Sequence, residues 1–163
     1  MSPANTPAAP SLVVLVTAEQ TRAQAAEDAF APLSGVWTSY SPAASAAFGS
    51  GFAPGNGTLV GRYVQMGKTV IGSILFTLGS TTVISGLPLF TLPVTALAAD
   101  WPVEVMLKKP LSNWWVGASF ALNTNSILVA AVGASGATAF TAALPMTWAA
   151  GDSIWASFTY EAA

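Results

Sequence analysis

The sequence predicts a mainly β protein, a β-sandwich preceded by an extended arm and a short helix. Three observations lead there. From Trp37 onward, short runs rich in Val, Ile, Thr, Phe and Trp alternate with Gly, Pro, Asn and Ser clusters, the pattern of strands joined by turns. Residues 55–70 contain a turn at Asn56-Gly57, an alternating run from Leu59 to Met66, and a second reversal at Gly67-Lys68 before Thr69-Val70. The closing run places Ile154, Ala156, Phe158 and Tyr160 on one face and Ser153, Trp155, Ser157 and Thr159 on the other.

Residues 1–10, with three prolines among small residues, suit an extended arm. The following Leu12, Val13, Val14, Leu15 and Val16 complete an anchoring arm, residues 1–16, if the run adds as a strand to a platform. The alternative is that this run packs on the chain's own helix or sheet. Thr17-Ala18-Glu19-Gln20 matches a capping box and predicts a helix starting there, ending near Phe30 because Pro32 follows. In that segment, residues 17–33, Ala23, Ala26, Phe30 and Leu33 form a narrow apolar seam. A helix this short is marginal alone, so the seam needs a partner. Self-association into a short parallel bundle is the preferred one, against docking on the chain's own β-domain. In the display domain, residues 37–163 preceded by Val36, strands are predicted near 36–40, 58–66, 68–78, 88–95, 102–108, 114–122, 125–132, 138–143 and 153–161. Hairpin tips are expected at Asn123-Thr124-Asn125 and at Gly133-Ala134-Ser135-Gly136. No fixed-period repeat points to a propeller or solenoid.

Composition narrows function. The 163 residues suit one domain with a substantial core. With neither Cys nor His, the chain lacks the usual zinc ligands, the commonest general base and every Ser-His or Cys-His nucleophile pair, and no cofactor or metal is expected. Only 7% of residues are charged against a usual figure of about 25%, so apolar surface is expected to be buried between identical subunits or against a larger assembly. The net charge of −2 and the single adjacent basic pair, Lys108-Lys109, argue against nucleic-acid binding. Residues 69–99 and 110–151 carry no charge, yet Gly, Pro and Asn break both before a membrane-spanning length, and no membrane insertion is expected. The run at 11–16 is too short for a signal-peptide core.

Residues 55–70, Trp37-Thr38-Ser39-Tyr40-Ser41-Pro42, Phe90-Thr91-Leu92-Pro93-Val94, and Trp148-Ala149-Ala150-Gly151-Asp152 through Tyr160-Glu161-Ala162 together resemble a domain at the carboxyl ends of tailed-bacteriophage fibre, minor tail and head-fibre proteins. The weight lies in the order of these short motifs over residues 37–163. Residues 17–33 also resemble the short Ala/Glu-rich helix that often precedes such a domain. The resemblance implies a jelly-roll-like tip, a homotrimer and a place on the virion surface, bound to capsid or tail proteins. Unlike a long fibre, the chain has no shaft: the expected helix is only about 20 Å long. A short head-fibre or capsid-decoration protein therefore fits best, with a small tail-fibre protein also in view.

Catalysis is not expected. Glu27-Asp28 is the only adjacent acidic pair, and a polysaccharide depolymerase would need two carboxylates across a groove, which Asp100, Glu104 and Asp152 supply only if folding gathers them. The alternative function is receptor recognition. Trp114-Trp115 beside Asn113, with Asn123 and Asn125 within reach, would stack and hydrogen-bond a host-surface glycan. Against this, tryptophans are commonly core residues, and neighbours in a strand face opposite ways. Arg62, Lys68, Lys108 and Lys109 suit surface or inter-subunit pairing.

Overall fold

The computed structural model describes residues 12–30, 35–49, 51–111, 114–133 and 136–163. They fall into two units, Met1–Gly35 and Val36–Ala163.

The first unit carries helix α1 (Leu12–Phe30). Its end agrees with the expectation; its start does not. Leu12, Val13, Val14, Leu15 and Val16 lie in the opening turns of the helix, not in an arm or a strand able to pair with a platform. The Thr21 hydroxyl donates to the Thr17 carbonyl at 2.9 Å, one turn back, so Thr17 is interior to the helix and does not cap it. Nothing in residues 12–17 forbids this: there is no Gly or Pro, and a β-branched residue costs a helix only about 0.5 kcal/mol. Nineteen residues give a rod of roughly 28 Å. Val14, Leu15, Val16, Ala23 and Ala26 are exposed. Arg22 pairs with Glu19 at 2.6 Å, an exposed contact that adds little stability. Of the expected seam, Phe30 is the last helical residue and Leu33 lies outside the described residues.

The second unit is mainly β, a curled antiparallel sheet of sandwich-like form. Its strands are β1 (Thr38–Tyr40), β2 (Ala44–Ala46), β3 (Phe52–Ala53), β4 (Thr58–Met66), β5 (Thr69–Thr77), β6 (Val83–Ile84), β7 (Pro88–Thr91), β8 (Val103–Lys108), β9 (Trp114–Asn123), β10 (Ser126–Gly133), β11 (Gly136–Thr138) and β12 (Ser153–Glu161). The main sheet runs β1-β4-β5-β12-β8-β9-β10-β7-β2, with β11 branching from β10, and a second small sheet pairs β3 with β6. The β4–β5 hairpin turns at Gly67, whose φ of 59° is one that only glycine adopts freely. In the preceding turn the left-handed residue is Gly55 (φ 54°), not Gly57; Gly57 is needed because a Cβ there would strike the Phe76 ring. Residues 139–143 are not a strand as expected. Phe140 drives its side chain into the core and makes a lone bridge to Gly86, which ends the ladder begun by β11.

The two edges of the main sheet are consecutive in the chain. β1 forms one edge and β2 the other, and only Ser41-Pro42-Ala43 separates them. Beside the seam the β2–β7 pairing runs one residue further: the Thr91 N–H donates to the Ala43 carbonyl at 3.0 Å, and the Ala43 N–H donates to the Thr91 hydroxyl at 2.8 Å. Tyr40 crosses the seam. Its ring covers Gly61, its cross-strand partner on β4, and meets Tyr63 edge-on at 5.8 Å, while its hydroxyl reaches the Thr91 carbonyl on β7 at 3.4 Å. Burial pushes the Tyr40 phenol well above its ordinary range, with a smaller contribution from Tyr160.

Inside the curl lies the main core, and a smaller cluster of Ala47, Leu128 and Ala130 lies on the other face of β10. Ile74 and Phe76 from β5, Ile154 and Ala156 from β12, Val105 and Leu107 from β8, and Ile127 and Val129 from β10 are buried, each alternating with an outward neighbour on strands β5, β12 and β8. The small β3–β6 ladder lays Phe52 against Phe76 and Phe90, at 5.6 and 6.3 Å between ring centres. Asp152, 2% exposed, stays in this setting because its carboxylate accepts from the Ala149 N–H at 2.8 Å and faces the Lys109 ammonium at 3.7 Å.

Gly61→Val should force the Tyr40 ring off the seam and cost about 1–3 kcal/mol in urea unfolding; unchanged stability would contradict the closure. Tyr160 donates to the Val94 carbonyl at 2.7 Å, and its phenol is pushed from 10.0 up to about 12, chiefly by burial. The folded state therefore holds this proton more tightly than the unfolded chain. Its contribution is intact below pH 10 and is lost as pH rises to about 12. Tyr160→Phe should flatten the alkaline decline in melting temperature while costing about 1 kcal/mol near neutral pH through the lost hydrogen bond.

Candidate interaction surface

Because side chains alternate across each strand, the registers of the central ladders dictate which outward residues become neighbours. Val60 on β4 faces Leu75 on β5, Leu75 faces Trp155 on β12, Trp155 faces Met106 on β8, and Met106 faces Val116 on β9. Continuing the β9–β10 register past Gly117↔Ala131 adds Val132. These six apolar side chains are each between 39% and 71% exposed. They form one unbroken row at right angles to the strands, roughly 24 Å long at 4.8 Å per strand spacing. Scattered exposed valines are ordinary; a row in strict register is a patch.

Polar rows border it. On one side lie Thr58, Thr77, Ser153 and Lys108, ending at Trp114. On the other lie Arg62, Ser73, Ser157 and Glu104. The Arg62 guanidinium sits 5.0 Å from the Trp37 ring centre, and the Lys108 ammonium 4.6 Å from that of Trp114. An apolar strip with a polar border and few charges has the composition of a protein interface.

The expected glycan constellation is split by the fold. Trp114 and Trp115 open β9 and Asn123 ends it, so the tryptophans and the hairpin amides are roughly 30 Å apart. Trp115 packs against the core, and Lys108 stands over one face of Trp114. The amides are engaged locally: Asn123 Oδ1 accepts from the Asn125 N–H at 2.8 Å and the Ser126 hydroxyl at 2.9 Å, and Asn125 Oδ1 accepts from the Thr95 hydroxyl at 3.0 Å. Asn113 lies outside the described residues.

Nor does folding gather Asp100, Glu104 and Asp152. Glu104 is level with Ser157 on β12, while Asp152 lies five residues before Ser157, roughly 17 Å along the chain. Asp100 and Glu161 line one groove with Trp101 and Tyr160, but both are exposed, without the apolar enclosure a catalytic carboxylic acid needs. Among the described residues no group of three or more Asp and Glu is placed to hold a metal, and no helix is long and apolar enough to cross a membrane.

The sequence places Trp155 on the face of its strand opposite the apolar one and does not mark the other members of the row. Each one's outward parity was visible in its own strand, whereas the order of the strands, which aligns them, was not. Compared with family models, curated proteins and solved structures, the chain matches none.

Adjacent positions on β8 test the assignment of faces. At concentrations low enough to keep copies apart, Met106→Lys should leave unfolding free energy within about 0.5 kcal/mol, while Leu107→Ala, fully buried, should cost about 2–5 kcal/mol. Equal losses at the two positions would place Met106 inside.

Proposed function

We propose that this chain is a structural protein of a tailed phage or phage-like particle, a short trimeric head-fibre or capsid-decoration protein or a small tail-fibre protein, whose activity is its contacts with its own copies and with the particle. The observation that carries self-assembly is the row from Val60 to Val132, a continuous apolar strip on the outside of a single chain. It gives the low charge content of 7% a structural counterpart, one continuous apolar strip that another surface can cover. The location on a particle rests on the ordered motifs over residues 37–163 and their resemblance to phage fibre and head-fibre domains. The exposed Val14, Leu15 and Val16 on α1 support attachment through the N-terminal unit.

Receptor recognition, the competing function, gains no support from the placement of Trp114, Trp115, Asn123 and Asn125 described above. Light scattering on the purified chain at micromolar concentration should return the mass of a trimer, and the chain should sediment with purified particles at constant stoichiometry. A folded monomer would refute self-assembly. Absence from particles would refute the location, and glycan-array binding abolished by Trp115→Ala would favour recognition instead.

A further inference from the structure

We infer that the partner covering the apolar row is a second copy of this chain, and that copies are arranged about an axis running along β5 and β12, so that the β4 flank of one copy meets the β8 flank of the next. The inference deepens the self-assembly reading above and rests on it.

The sheet's edges are not available for joining copies. β1 and β2 are three residues each and meet at the seam, so strand addition along an open edge has little to extend. What remains is the outer face. Because the sheet curls round its main core, that face is convex, and a convex face set about a parallel axis touches its neighbours on its flanks, with its middle turned to the axis.

The flanks are complementary under that arrangement. β5 and β12 are the middle pair, with β4 on one side and β8 on the other. An axis along the strands keeps each residue at its own height, so residues of one cross-strand row meet residues of the same row in the neighbour. In the apolar row, Val60 then meets Met106 of the next copy, with Leu75 and Trp155 toward the axis. In the adjoining row, Arg62 on β4 meets Glu104 on β8 of the next copy, a positive group against a negative one. Ser73 and Ser157 lie between, small and polar near the axis. An axis at right angles to the strands gives no such match: each residue would then meet another on its own strand, and Arg62 would face the uncharged residues of β4.

This head-to-tail pairing closes into a ring, the form a homotrimer requires. The chain is suited to a direct test because it contains no cysteine. Val60→Cys with Met106→Cys in the full chain places two thiols three strand spacings apart, roughly 14 Å, beyond the reach of a disulfide within one copy. Oxidation should therefore link copies, and denaturing gels should show covalent trimers. Covalent dimers alone would overturn the closed three-copy ring. Failure to cross-link in a protein that light scattering shows to be trimeric would overturn the proposed face while leaving self-assembly standing. A folded monomer would overturn both. As a second arm that keeps the apolar row intact, Arg62→Glu should raise the concentration of half-dissociation by about tenfold, and adding Glu104→Arg should restore it. No change in the single variant, or no recovery in the double, would separate Arg62 from Glu104 and refute the pairing.

Discussion

The structure of the β-unit depends on closing a sheet whose two edges belong to one stretch of chain. β1 and β2 are joined by three residues yet sit at opposite ends of the strand order, so the sheet has to roll until they meet. Tyr40 makes the meeting specific. Its ring needs the bare backbone of Gly61 on β4, its hydroxyl reaches Thr91 on β7, and Thr91 also exchanges bonds with Ala43. Once rolled, the sheet has an inside packed with Phe76, Phe90, Ile74 and Leu107 and an outside that is convex.

That closure decides where the unusual composition is felt. A chain with twelve charged residues has few to distribute, and the core consumes much of the apolar excess through alternation on β5, β8 and β12 and burial of both faces of β10. Part of what remains outside is aligned rather than scattered. The registers of β4, β5, β12, β8 and β9 bring Val60, Leu75, Trp155, Met106 and Val116 into line, while Arg62 and Glu104 stand in the next row. Covering such a strip with another protein surface removes apolar area from water at a gain of roughly 25 cal/mol per Å². Leaving it open invites less specific association.

Much of the fold was legible from alternation alone. β4 and β12 have the expected bounds: burial alternates along the whole of β12, which writes a period of two into the sequence, and β4 is framed by the turn before it and by Gly67 after it. β2, β3 and β6 left no such mark: two or three residues of Ala, Ser, Phe, Val or Ile carry no period, and their pairing is imposed by the sheet they close. The helix start was misread because Thr17 offers a capping hydroxyl, whereas Leu12 to Val16 had no breaker to stop the helix from extending through them. The tryptophan–asparagine site failed for a different reason. Trp114 and Asn123 are near in sequence, but an extended strand turns nine steps of sequence into distance. The same rule concealed the apolar row, whose members are far apart in sequence and adjacent only once the strand order is known.

A three-dimensional reconstruction of the assembled particle tests the central claim most directly, since it shows each copy with its neighbours. The β-units should be set about an axis along β5 and β12, with Val60 against Met106 of the next copy and Leu75 and Trp155 shielded from solvent near the axis. Copies whose row from Val60 to Val132 faces open solvent, with contacts made elsewhere, would contradict that arrangement.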